Sequence, residues 1–250
     1  MAAYPKPSEA ANLLFLANWD GTDGDTAYTD ESVTPLPITF EGVSELTDAN
    51  SRFGPTHLLA GPGDNDRFSL AIDASDLQSG PDGDFTITSF FRNTTVGSRD
   101  TFFEMSGSLE LSHSIGGLLR LIYTPVGGSQ TIVNASPSVN NAPEASDEWG
   151  FFAVQKQGNK LVGWIGRREA SPYDADATKV FDITLSDDID TSGSTLLWGD
   201  DGSFEFDATQ IALEALYPTE PATIPFPTEA PDADFSSVPS QSIRIYFAGG

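Results

Sequence analysis

Gly150-Phe151-Phe152-Ala153-Val154-Gln155-Lys156, then Gln157-Gly158-Asn159, then Lys160-Leu161-Val162-Gly163-Trp164-Ile165-Gly166-Arg167 is the stretch on which the fold turns. Two apolar runs of strand length flank a short polar turn centred on glycine. That is the sequence mark of a β-hairpin. Working outward, Phe85-Thr86-Ile87-Thr88-Ser89-Phe90-Phe91-Arg92 puts Phe85, Ile87 and Phe91 on one face and Phe90 on the other. Such a strand is partly buried on both faces. Further short apolar runs lie at 12–18, 37–41, 57–60, 67–72, 101–105, 118–124, 130–134, 179–185, 195–198, 210–217 and 242–248. Turn residues separate them, and 23 glycines and 17 prolines leave no long helical window. This spacing predicts an all-β protein, a two-sheet antiparallel jelly-roll sandwich.

Size and charge narrow the function classes. A chain of 250 residues can bury one large core without staples, and it has no cysteine to form any. The 37 acidic and 12 basic residues give a net charge of −25. A nucleic-acid binder needs a basic footprint, so nucleic acid is excluded as a partner, and an anionic membrane surface is opposed too. The N-terminus carries no apolar leader, and no apolar run reaches the ~20 residues of a membrane span. The expected partners therefore include neither nucleic acid nor membrane. The stretch from Pro218 to Pro239 holds six prolines among acidic residues and reads as an extended arm. The domain reading is a sandwich over 1–217, with a Pro-rich arm and terminal strand over 218–250 that pack on the same domain or on a neighbouring subunit.

A family resemblance rests on an ordered series of motifs. Leu13-Leu14-Phe15-Leu16-Ala17-Asn18-Trp19-Asp20-Gly21 leads into Tyr28-Thr29-Asp30-Glu31-Ser32. Ser51-Arg52-Phe53-Gly54, Gly63-Asp64-Asn65-Asp66-Arg67-Phe68, Gly83-Asp84-Phe85-Thr86-Ile87 and Glu148-Trp149 follow. Phe152-Ala153-Val154 and Gly158-Asn159-Lys160-Leu161 close the series. In this order they resemble the concanavalin A-like, laminin-G-like domains of bacteriophage virion proteins. The resemblance runs from about Leu13 to Tyr217. It implies a non-enzymatic virion module of tail, fibre or capsid surface, exposed on the particle. The implied partners are other virion subunits, further copies of the chain and a cell-surface glycan. The rival readings are a secreted carbohydrate-binding module and, lowest, a glycoside hydrolase. Relatives often carry an Asp-Glu pair in the last strand, where this chain reads Gln210-Ile211-Ala212-Leu213-Glu214.

Each chemistry has its nearest candidate. Sandwich glucanases set carboxylates in a Glu-x-Asp-x-x-Glu pattern on one strand. Glu205-Phe206-Asp207-Ala208-Thr209-Gln210 stops at Gln210, and an amide cannot serve as the acid; the segment reads as an exposed turn or strand face. His57 reads as a structural histidine in a short apolar strand and His113 as a loop or strand-edge residue. No nucleophile elbow or phosphate loop is present. No cofactor is expected, with calcium the one candidate ligand. Asp20, Asp23 and Asp25 place three carboxylates in six residues, a hard-oxygen set suited to that ion. Asp187-Asp188-Ile189-Asp190 and Asp200-Asp201-Gly202 are weaker sets. For a glycan, Trp19 and Trp198 adjoin acidic turns and are the candidate aromatic platforms, whereas Trp149 and Trp164 read as packing.

Overall fold

The structure is a computed structural model describing residues 4–49, 51–61, 66–93, 101–113, 119–135, 149–167, 176–190, 194–199 and 204–231. The expected strand at 242–248 and the acidic set at Asp200 lie outside the described residues. Along the chain run β1 (Leu13–Ala17), β2 (Ile38–Glu41), β3 (Glu45–Thr47), β4 (His57–Ala60) and β5 (Arg67–Asp73). A single helical turn, α1 (Ala74–Leu77), follows β5 and is closed by a reciprocal capping box between Asp73 and Asp76. Next come β6 (Phe85–Asn93), β7 (Thr101–Met105), β8 (Leu109–His113), β9 (Leu119–Tyr123) and β10 (Thr131–Asn134). Then follow β11 (Gly150–Gln157), β12 (Lys160–Arg167), β13 (Asp176–Thr184), β14 (Ser194–Trp198), β15 (Phe204–Ala212) and β16 (Thr223–Pro225).

The strands form two antiparallel sheets. The larger, of nine strands, has the order β16-β13-β12-β11-β6-β15-β4-β3, with β1 also on β15. The smaller, of seven, has the order β10-β9-β8-β7-β14-β5-β2. The β11–β12 hairpin forms as the sequence predicts, and Gly158 at the first loop position takes φ 55°. A positive φ there is what a II′ hairpin turn needs and what glycine supplies. A bulge at Asp207–Ala208 divides one edge of β15 between two partners, β4 over Phe204–Phe206 and β1 over Thr209–Ala212. Ala208 takes φ 49° there.

Between the sheets lies an apolar core rich in aromatic rings. Phe68 stacks on Trp198 with centroids 5.5 Å apart, and Trp19 meets Phe68 edge-on at 4.9 Å. Phe91, Phe102, Phe103, Phe152, Phe204 and Phe206 extend this cluster. The Asp30-Glu31-Ser32 motif secures the first strand. Asp30 accepts hydrogen bonds from the Leu16, Ser32 and Leu36 N–H groups and from the Ser32 hydroxyl.

The larger sheet is covered on its second face as well. Phe90, Phe151, Ala153, Val162 and Trp164 point away from the core and are buried beneath Tyr4, Tyr217, Ile224 and Phe226. Residues 218–231 are thus part of this layer, and β16 joins the sheet beside β13. The segment lacks proline N–H groups but keeps its carbonyls. Side chains of the sheet and of its adjoining loops donate to several of them: Trp164 Nε1 to Pro221, Lys179 Nζ to Thr219, Arg52 to Pro227 and Asn18 to Pro231. Gln155 binds both the N–H and the carbonyl of Tyr217, at 2.9 and 2.7 Å. A Cβ on Gly166 would sit 2.6 Å from the Phe226 ring, so glycine permits this close approach.

Candidate functional site

A polar hollow lies at the end of the sandwich that carries the β11–β12 turn. Its volume is about 370 Å³, within the range of small-molecule sites. The N-terminal segment supplies Ser8, Glu9 and Asn12; the turn before β6 supplies Asp82 and Asp84; β11 ends in Gln157; and Glu214 follows β15. The Ser8 hydroxyl donates to Glu214 Oε2 at 2.6 Å, the Ser8 N–H donates to Oε1, and Asn12 Nδ2 donates to Oε2 at 3.1 Å. Glu214 is therefore held in one orientation. Asp84 Oδ1 accepts from the Gly158 N–H at 2.7 Å and ties the turn to the rim. Glu9, Asp82 and Gln157 make no side-chain hydrogen bond among the described residues, and all three are exposed. Fixed acceptors beside unpaired amide and carboxylate groups match the alternating donors and acceptors of sugar hydroxyls. A second hollow of about 260 Å³ adjoins the same turn, between Gly158-Asn159 and Ser186-Asp187-Asp188. There the Lys156 ammonium, itself buried, lies 3.0 Å from Asp188.

A second polar group lies under the outer layer. Glu205 on β15 is paired with Arg92 on β6, and His57 Nε2 on β4 lies 3.1 Å from Glu205 Oε2. Trp149 meets His57 edge-on at 5.2 Å, and the Arg92 guanidinium lies 5.8 Å from the Trp149 ring centre. Burial opposes ionisation of Glu205, but hydrogen bonds and charge from His57 and Arg92 outweigh it and hold its pKa below the usual range. Asp207, two residues on and on the same face, shifts the other way. Burial raises its pKa to about 6, against the N–H groups of Arg52 and Phe53, the charge of His57 and the Ser51 hydroxyl. Its Oδ2 accepts from Arg52 N at 2.9 Å and Phe53 N at 3.2 Å. The sequence had read Glu205–Gln210 as an exposed turn or strand face; it is fully buried, a correction with a plain cause. The outer layer roofs the face on which both carboxylates lie. Glu205 is 5% and Asp207 0% exposed, so neither carboxylate lies open to solvent among the described residues.

The residues singled out in the sequence do not converge. Trp19 and Trp198 are both 0% exposed, so neither presents a ring to a ligand. Trp19 instead donates from Nε1 to Thr209 Oγ1 at 3.1 Å. Asp20 is exposed while the Trp19 ring beside it in sequence turns inward. The calcium set is likewise dispersed. Asp25 Oδ2 accepts from Thr22 N at 2.9 Å, Asp23 Oδ1 accepts from Asp48 N at 3.3 Å, and Asp20 packs against Gly54. Burial, with Glu31 nearby, pushes the Asp20 pKa up. Among the described residues no three acidic or histidine side chains gather as a metal cage. Sequence reasoning passed over Ser8, Asn12, Asp82, Asp84 and Gln157, because only the tertiary fold brings positions so far apart together. Gly83-Asp84 and Gly158-Asn159, both in the motif series, mark two of the loops involved.

Architecture and surface thus define a β-sandwich with a polar hollow at one end. No family model matches the chain, and no curated protein matches it. Solved structures do resemble it. The binding domain of botulinum neurotoxin serotype C1 matches with a TM-score of 0.59 at 14% identity, over 83% of this chain and 50% of that one. Botulinum neurotoxin DC binding domains match in complex with rat synaptotagmin II (TM-score 0.58, 12% identity, 83% and 49% covered). Another matches in complex with SialylT (TM-score 0.55, 14% identity, 84% and 49% covered). The chain spans about half the length of these neighbours, and at such identity the likeness is one of fold.

Proposed function

We propose that this chain is a non-catalytic glycan-binding module whose ligand sits in the hollow between Asn12, Asp82, Gln157 and Glu214. The observation that carries the reading is the hollow itself: a fixed Glu214 and Asn12 beside the unpaired side chains of Asp82 and Gln157. The sandwich neighbours that carry SialylT or synaptotagmin are binding domains, which supports a binding role. The hollow's ligand nevertheless differs in charge from a sialylated sugar. Glu9, Asp82, Asp84 and Glu214 line it with no lysine or arginine among them, so it favours neutral glycans over anionic ones. The ordered motif series supports placing the module on a virus particle, where it contacts other virion subunits and a host-cell glycan.

The test is a panel of neutral and sialylated oligosaccharides, screened on an array and followed by calorimetry. A neutral oligosaccharide should bind, and the double variant Asp82→Ala, Gln157→Ala should weaken it at least tenfold, the loss of about two hydrogen bonds. Both positions are exposed, so the fold is spared. Retention of sialylated sugars alone, or unchanged binding by the double variant, overturns the reading.

A further inference from the structure

Acidic residues are spread throughout this sequence except in one place. From Leu111 to Pro143 there is no aspartate or glutamate, where the chain's average would put about five. The described part of that stretch forms the end of β8, all of β9 and all of β10, one margin of the seven-stranded sheet. Two of the four large apolar side chains exposed among the described residues belong to it, Val126 at 48% and Ile132 at 55%.

The margin ends in β10, which pairs with β9 on one side and has no partner strand on the other among the described residues. Free strand edges are sticky, and proteins blunt them with charge, proline or a covering segment. Every other margin described here is blunted. β2 ends in Glu41, β3 begins with Glu45, and β16 ends in Pro225. The free side of β1 is covered, with Leu16 bonded to Asp30 and to the Glu31 N–H. Thr131-Ile132-Val133-Asn134 holds neither charge nor proline, and no covering segment lies on it among the described residues.

We propose that β10 is a self-association edge, pairing antiparallel with β10 of a second copy about a two-fold axis. A copy is the occupant that the charge pattern selects. Two chains of net charge −25 repel over most of their surfaces, and β10 brings no acidic side chain of its own to the contact; the acidic residues bonded to this margin, Asp188 and Asp190, meet Val126 and Thr124 in the β9–β10 turn and not on the pairing strand. An antiparallel edge is also self-complementary, so one strand supplies both halves of a closed dimer. The two seven-stranded sheets would then run on as one. This inference is independent of the glycan reading.

Sedimentation velocity of the full chain from about 1 to about 100 µM spans the range in which a small interface dissociates. A concentration-dependent dimer is expected, tightening as salt screens the net charge. Ile132→Glu should weaken it at least tenfold. Val43→Glu, at a position 66% exposed outside the acid-free stretch, should leave it unchanged. Amide exchange at residues 131–134 should slow with concentration in the wild type and not in Ile132→Glu. A wild-type monomer across the whole range, or an Ile132→Glu chain that associates as the wild type does, overturns the proposal.

Discussion

The two sheets solve the problem of their second face in opposite ways. The seven-stranded sheet turns a polar face outward: Arg67 pairs with Glu41 at 2.9 Å, and Arg120 pairs with Glu110 at 3.2 Å. The nine-stranded sheet turns rings outward, Phe90, Phe151 and Trp164, and then covers them with the chain's own N-terminal segment and proline-rich stretch. Solvation contributes to the first, since Arg67 and Glu41 remain within reach of water. The second gains apolar burial of about 1.5–3 kcal/mol for each large side chain covered. It also encloses His57, Arg92, Glu205 and Asp207, of which Arg92 pairs with Glu205 and Asp207 accepts from the Arg52 and Phe53 N–H groups. A roofed face is therefore both the more stabilised and the more vulnerable.

Deleting residues 218–250 is the most severe way to break this contrast. It removes β16, Ile224 and Phe226 from Phe90, Phe151 and Gly166. Uncovering two large apolar side chains and the rings beneath them costs well over about 5 kcal/mol. The truncated chain should lose cooperative thermal unfolding and bind a hydrophobic dye; a sharp melt near the wild-type Tm would contradict the roof.

A subtler change leaves the roof in place and disturbs what it encloses. Glu205→Gln strands Arg92 and His57 beside a neutral amide, for a loss of about 3–5 kcal/mol in denaturant unfolding. Its counterpart on the open sheet, Glu41→Gln opposite Arg67, should cost about 1 kcal/mol or less. Equal losses for the two would erase the distinction between the faces.

Another effect is a matter of pH. Asp207 has a pKa of about 6 in the folded chain, above the ordinary value of 3.8. The folded state therefore binds the proton more tightly than the unfolded one, and stability falls as pH rises through 6. The contribution lost is about 3 kcal/mol at full ionisation. His57, Arg52, Glu205 and Tyr4 face the same region, so the comparison must be made against a matched variant. Asp207→Asn keeps an acceptor for the Arg52 and Phe53 N–H groups and should flatten the slope between pH 4 and 7 (about the span of the two pKa values). An unchanged slope would place the titration elsewhere.

Much of the fold is legible in the residues. His57–Ala60 and Lys160–Arg167 form strands over the expected bounds, because alternation and flanking turns mark both ends. β3 and β16, at three residues each, are too short to show any period. β15 begins at Phe204, six residues before its predicted start, because Glu205 and Asp207 look like surface when no roof is visible. The tryptophans misled for a related reason. Adjacency to an aspartate in sequence says nothing about the side to which a ring turns, and the left-handed backbone at Trp19, φ 58°, turns it into the core. The hollow could not be read at all, since Asn12, Asp82, Gln157 and Glu214 become neighbours only after the sheet has closed.

The roof also sets an order of events during synthesis. Tyr4 bonds to Thr88 and to the carbonyl of Ala208, and it shares its layer with Phe226, more than two hundred residues later in the chain. Until Phe226 leaves the ribosome, Phe90, Phe151 and Trp164 stand open on a finished or half-finished sheet. The nascent chain thus displays an aromatic surface that the mature protein conceals, and apolar surface left open in this way is what makes an incomplete chain prone to aggregate.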